Sequence, residues 1–207
     1  MEYIFVVIIL IFSVIIHEIS HGAMANYLGD PTAKQAGRLT LNPLKHLDPV
    51  GSIIVPIFFV ILSQATGSGI VFGWAKPVPI NPYNFRDKKY GSMKVALAGP
   101  GSNLLVALFF GLILRFYSGP IISSGIILMF SYIVYINILL AIFNLMPIPP
   151  LDGSHILFSL LPESARNLKI FLYEFGYLII LFVLFFFFNW VQYIIQWLFY
   201  LITGSSI

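Results

Sequence analysis

Long apolar runs constrain this chain more than any other feature of it. Tyr3 to Ile16, Met93 to Tyr117, Ile121 to Met146 and Leu168 to Phe188 contain few charged residues between them. A bilayer core about 30 Å thick is crossed by about 20 such residues in a helix. In lipid every backbone polar group must be satisfied within the chain, which excludes open sheets. The whole sequence is 59% hydrophobic and 9% charged, whereas soluble domains are about a quarter charged. The fold expected is an all-α polytopic membrane protein with about five to six transmembrane helices. A net charge of +3 on 207 residues is too small and dispersed for a nucleic-acid partner. With no cysteine, neither disulfides nor thiolate metal sites are available. Ala23-Met24-Ala25 after the first run imitates a signal-peptide cleavage site, but Met1-Glu2 lacks the basic start of one, so a retained helix is expected.

One cluster breaks the apolar pattern. His17, Glu18 and His21 follow directly on the first run, within a helix expected over Tyr3 to Tyr27, at a depth where ionisable groups are expensive and mark function. On a helix, His17 and His21 share a face one turn apart, a spacing that lets both imidazoles hold one zinc ion. Glu18 points about 100° away and is free to act as a general base. A catalytic zinc takes a third protein ligand and keeps a position for water. The candidates are His46, Asp48, Asp87, Asp152, His155 and Glu174. Asp152 is favoured, because Pro147, Pro149 and Pro150 end the preceding helix and Gly153 lets the chain turn back. His155 and Glu174 read as interfacial groups, and His46 as a solvated loop histidine.

The same residues fix a topology. Basic residues concentrate in segments 26–49, 76–94 and 162–169, whereas the 118–120 turn is flanked only by Arg115. The apolar run 51–66 is short and interrupted by Pro56. If it re-enters rather than crosses, all three basic segments lie on the cytoplasmic side. His17 near the end of the first helix can meet Asp152 only if one net crossing separates their helices, and 93–117 supplies it. The chain is then a multi-pass cell-membrane protein with its site toward the cytoplasm and a small re-entrant or β-hairpin element there. Residues 70–80, with Pro77 and Pro79, read as an edge strand rather than a central one.

The His17-Glu18-Ile19-Ser20-His21 helix, the Ala98-Gly99-Pro100-Gly101-Ser102-Asn103 element and the Asn144 to Gly153 stretch resemble the site-2 protease family of intramembrane zinc metalloproteases. The likeness covers about residues 10–157, with its motifs in order, and is closest to the compact form without PDZ or nucleotide-sensing domains. It implies one Zn2+ per chain on His17, His21 and Asp152, with Glu18 as the general base. It implies a β-element at the site, so Val71, Phe72, Gly73 and Trp74 are candidate substrate-binding residues. Asn103 and Asn144 are expected either to orient substrate or to make interhelical hydrogen bonds. The resulting picture is a single membrane-embedded metalloprotease domain over 1–207, with its catalytic core in 1–157 and C-terminal helices in 158–207. Its partners would be a membrane-spanning or membrane-associated protein substrate and the bilayer, with a second copy of the chain left open. A metal-ion or proton transporter using the same His/Glu/Asp cluster is the alternative.

Overall fold

The computed structural model describes residues 2–55, 57–58, 61, 76–117 and 124–205. Its principal helices are α1 (Glu2–Tyr27), the short α2 (Thr32–Gln35), α3 (Gly91–Phe116), α4 (Ser124–Asn144), α5 (Asp152–Leu160), α6 (Arg166–Phe186) and α7 (Phe188–Thr203). Among the described residues there is no strand. Four helical stretches there are long and apolar enough to cross a membrane: Ile4–Tyr27, Gly91–Phe116, Ser124–Asn144 and Glu163–Phe186. α7 is shorter than these, its 16 residues rising about 24 Å. The candidates for substrate binding Val71 to Trp74, and half of the 51–66 run, lie outside the described residues.

Helix directions follow from the cross-helix bonds. Asn103 of α3 bonds Ser13 and His17 of α1, while His21, further along α1, bonds Val95, nearer the start of α3. The two helices are therefore antiparallel. Asn137 of α4 meets Ser13 and Asn103, and Phe110 stacks on Phe130, so α4 runs antiparallel to α3 and parallel to α1. That arrangement brings the ends of α1 and α4 to one end of the bundle.

The segment between α1 and α3 leaves from and returns to that same end. Arg86 N–H donates to Leu28 C=O at 2.8 Å, directly after α1 ends at Tyr27. Gly29 has φ +106°, and a Cβ there would press on Asn84 and Arg86, so the turn requires glycine. Asp30, with no surface reaching solvent, accepts from Asn81 N–H (2.7 Å), Asn84 Nδ2 (2.9 Å) and both donors of Thr32. Burial pushes its carboxyl up, but these hydrogen bonds outweigh it and hold the pKa below the usual carboxylate value. Asp30 thus ties residues 81–86 to the end of α1.

At the opposite end, Ala107, Val134, Ile138, Ile195 and Phe199 form an apolar core joining α3, α4 and α7. Trp190, Tyr193, Trp197 and Tyr200 occupy the other, exposed face of α7, in keeping with an aromatic belt. Lys169 Nζ donates to Phe158 and Leu161 C=O, closing the C-terminal end of α5 with a cation.

Candidate active site

Pro147, Pro149 and Pro150 deny further turns to α4, and the chain folds back through short bonds such as Leu151 N–H to Ile148 C=O. The Pro149-Pro150 peptide is cis. Gly153 lies against the backbone of Leu145 and Met146, where any Cβ would collide. The reversal starts α5 at Asp152, so its carboxylate sits at a helix N-terminus, the end that favours negative charge.

Asp152 meets the α1 histidines there. His17 Nε2 and His21 Nε2 are 3.0 Å apart, and Asp152 Oδ2 lies 3.1 Å from the first and 3.2 Å from the second. The polar partners on the far side of each ring determine what these atoms can do. His21 Nδ1 is 2.7 Å from Val95 C=O, an acceptor that demands an Nδ1–H. His17 Nδ1 is 2.6 Å from Asn103 Oδ1, again an acceptor. With both protons on Nδ1, two Nε2 lone pairs and a carboxylate oxygen point at one another. Oδ2 of Asp152 is buried and has no hydrogen-bond donor. Three mutually facing acceptors form an unstable set unless a cation joins them. Tetrahedral zinc with bonds of about 2.0–2.1 Å places its ligands about 3.3 Å apart, close to the triangle observed. The donor set fits zinc. Among the described residues it is the one His/Asp/Glu group whose ligand atoms converge in this way.

Gly99 makes the space. A Cβ at that position would overlap the His17 and His21 rings, so α3 approaches the pair without a side chain. Glu18 is half-buried on the adjacent face of α1, where its Oε2 accepts Val78 N–H at 2.8 Å. Asn103 is fully buried and takes the interhelical role of its two alternatives, bonding His17, Ser13 and Asn137. Asn144 is half-buried, with Nδ2 donating to Leu140 C=O of its own helix.

The other third-ligand candidates stay apart from the triad. His155 and Glu174 are exposed. Asp87 pairs with Lys94 at 2.7 Å, and that contact, with hydrogen bonds from Tyr90 and Lys89, holds its carboxyl below the usual range. Asp48 accepts from Val50 and Gly51 N–H. His46 corrects its expected solvated place: it is 1% exposed, with Nε2 on Thr40 C=O, because the 38–46 loop closes over it and Lys76 N–H reaches its carbonyl. Sequence reasoning did not single out Ser13 or Val78, and it passed over Asn137 as a polar residue within a span.

Residues 111–187 match peptidase family M50. A Bacillus subtilis protein, "Putative zinc metalloprotease YwhC", is 41% identical over 168 residues, covering 78% of this chain and 71% of that one. The chain belongs to peptidase family M50. M50 peptidases are the site-2 protease type and are zinc-dependent, which agrees with the ligand triangle. "Putative zinc metalloprotease Rip2" of Mycolicibacterium smegmatis is 34% identical over 161 residues, 75% of this chain and 57% of that protein. "Putative zinc metalloprotease MJ0611" of Methanocaldococcus jannaschii is 39% identical over 92 residues, 42% of this chain and 46% of that protein. No solved structure matches the chain.

Proposed function

We propose that this M50 chain is an intramembrane zinc metalloendopeptidase that hydrolyses peptide bonds of membrane-spanning or membrane-associated proteins, acting in regulated intramembrane proteolysis. The observation that carries the reading is the triangle of His17 Nε2, His21 Nε2 and Asp152 Oδ2, with edges of 3.0–3.2 Å, on the same helix turn as the Glu18 carboxylate. Zinc bound there would supply Lewis-acid activation of water and of the scissile carbonyl. Glu18 takes the proton from the attacking water and returns it to the leaving amine. His17 and His21 keep their Nδ1 protons on Asn103 and Val95, so the Nε2 lone pairs stay directed at the metal.

A helical substrate must be extended before its carbonyl can reach this point. Residues 71–74 would pair with it by strand addition, and Asn144 would orient it. The described end of that segment supports this, since Val78 is already hydrogen-bonded to Glu18. Residues 1–207 act as one unit with its catalytic core in 1–157, and the 51–66 run re-enters on the cytoplasmic side, where the site opens. Support comes from the joining of Leu28 to Arg86 at the bundle end that holds the triad. The transporter reading is not favoured, because the family is one of peptidases.

The test is purified protein with its zinc content measured, incubated with membrane-spanning peptides with and without a chelator. Cleavage that the chelator abolishes and added zinc restores is expected. A zinc-loaded protein that cuts none of a broad panel of spanning peptides contradicts the proposal.

A further inference from the structure

Where α1, α3 and α4 meet, three polar side chains are sealed from solvent and lipid: Ser13 is 4% exposed, and Asn103 and Asn137 are 0% exposed. Buried amides in an apolar bundle persist only when fully paired, and such networks fix a single arrangement. Here the pairing has a direction. Asn137 Nδ2 donates to Ile133 C=O (2.8 Å) and to Ser13 Oγ (2.9 Å). A backbone carbonyl can only accept, so Ile133 decides which end of the Asn137 amide faces it. The oxygen of Asn137 is thereby turned to Asn103, whose Nδ2 donates to it at 2.8 Å and to Ser13 C=O at 3.2 Å. Every N–H of both amides is then engaged. Asn103 has only its oxygen left to present to His17 Nδ1, at 2.6 Å.

We propose that Asn137 is a positioning residue for the metal site, fixing the Asn103 amide so that it can only accept from His17 and thereby holds His17 as its Nδ1–H tautomer. Reversing the Asn103 amide would aim an N–H at Nδ1. His17 would then carry its proton on Nε2, the atom that must bind metal. Ser13 C=O alone opposes that reversal once Asn137 is gone, through the longer of the two bonds. The hydrogen bonds of Asn137 go to Asn103, Ser13 and Ile133 and to none of the three ligands, so its effect passes through one amide. Metal binding enters this inference on the strength of the zinc-protease reading, whereas the tautomer does not depend on it.

Two measurements test it. In metal-free, 15N-histidine-labelled protein at mildly alkaline pH, the His17 signal (assigned from a His17→Gln sample) should show a proton on Nδ1 in the wild type, whether or not Nε2 also carries one, and lose that preference in Asn137→Leu. A wild-type His17 with no proton on Nδ1 overturns the proposal whether or not any variant folds. Zinc affinity, measured by competition with a chromophoric chelator, should fall about 10–100-fold in Asn137→Leu. Asn103→Asp presents an acceptor whichever way it turns, so Asn137→Leu should have little further effect on zinc affinity in that background. An equal loss in both backgrounds would mean that Asn137 merely packs the bundle, and the proposal fails. The wild-type tautomer with no zinc bound would instead remove the protease reading and leave this one standing.

Discussion

Val78 N–H donates to Glu18 Oε2 at 2.8 Å, so the carboxylate beside the zinc triangle is held by a backbone group from 60 residues further along the chain. The two are brought together by the Asp30 junction, which secures residues 81–86 to the end of α1. Val78 is then carried back along that helix, where its side chain packs against Gly22. Glu18, proposed as the base, is thus tied to the described residues 78–86.

That junction is acid-sensitive in a defined direction. The Asp30 pKa is lowered in the folded protein, so its stabilisation is complete above the unfolded carboxylate value of about 3.9 and is lost as pH falls through the folded one. Hydrogen exchange of residues 81–86 should therefore be constant from neutral pH to about 4, after correction for the intrinsic rate, and should rise below that. Asp30→Ala should cost about 1–2 kcal/mol of stability, since it leaves the part-buried donors of Thr32 and Asn81 and the Asn84 amide without this acceptor. An unchanged thermal midpoint in detergent would contradict the role given to Asp30.

Gly99 is where α3 comes closest to the histidine pair. Gly99→Ala places a methyl group into the space of both rings and should lower zinc affinity at least about tenfold while the helical content is kept. Gly101→Ala, one helix face away with nothing near its Cβ, is the control and should bind zinc as the wild type does. Equal affinities for the two variants would show that the rings do not need that space.

Protons and zinc compete for the same lone pairs on His17 and His21 and for the same oxygen on Asp152. Zinc uptake should release protons, and zinc affinity should fall as pH is lowered. Isothermal titration in buffers of different ionisation enthalpy reads the proton count directly; a count of zero across neutral and mildly acidic pH would contradict ligation by imidazole. Asp152→Ala should lose the metal, because the two α1 imidazoles alone leave the site short of a ligand.

Parts of this site were legible in the sequence because they obey local rules. His17 and His21 declare themselves by helical spacing, Glu18 by its position between them, and Asp152 by the prolines that end α4 before it. The parallel directions of α1 and α4 followed from requiring those groups to meet. What was not legible depends on side chains far apart in sequence. Ser13, Asn103 and Asn137 share no period, and only the packing of α1, α3 and α4 makes them one network. The burial of His46 likewise depends on a loop closing through a contact with Lys76. Hydropathy registers the apolar character of α7 but not its partners: α7 follows α6 after a single residue and buries Ile195 and Phe199 in the bundle.

The central claim is that Glu18 works as the base on a zinc site built by His17, His21 and Asp152. Glu18→Gln, purified alongside the wild type, measures it most directly through bound zinc and cleavage of a membrane-spanning reporter on the same samples. The account predicts unchanged zinc and a loss of hydrolysis of about 10²–10⁴-fold. A Glu18→Gln protein that holds zinc and cleaves at the wild-type rate would contradict it.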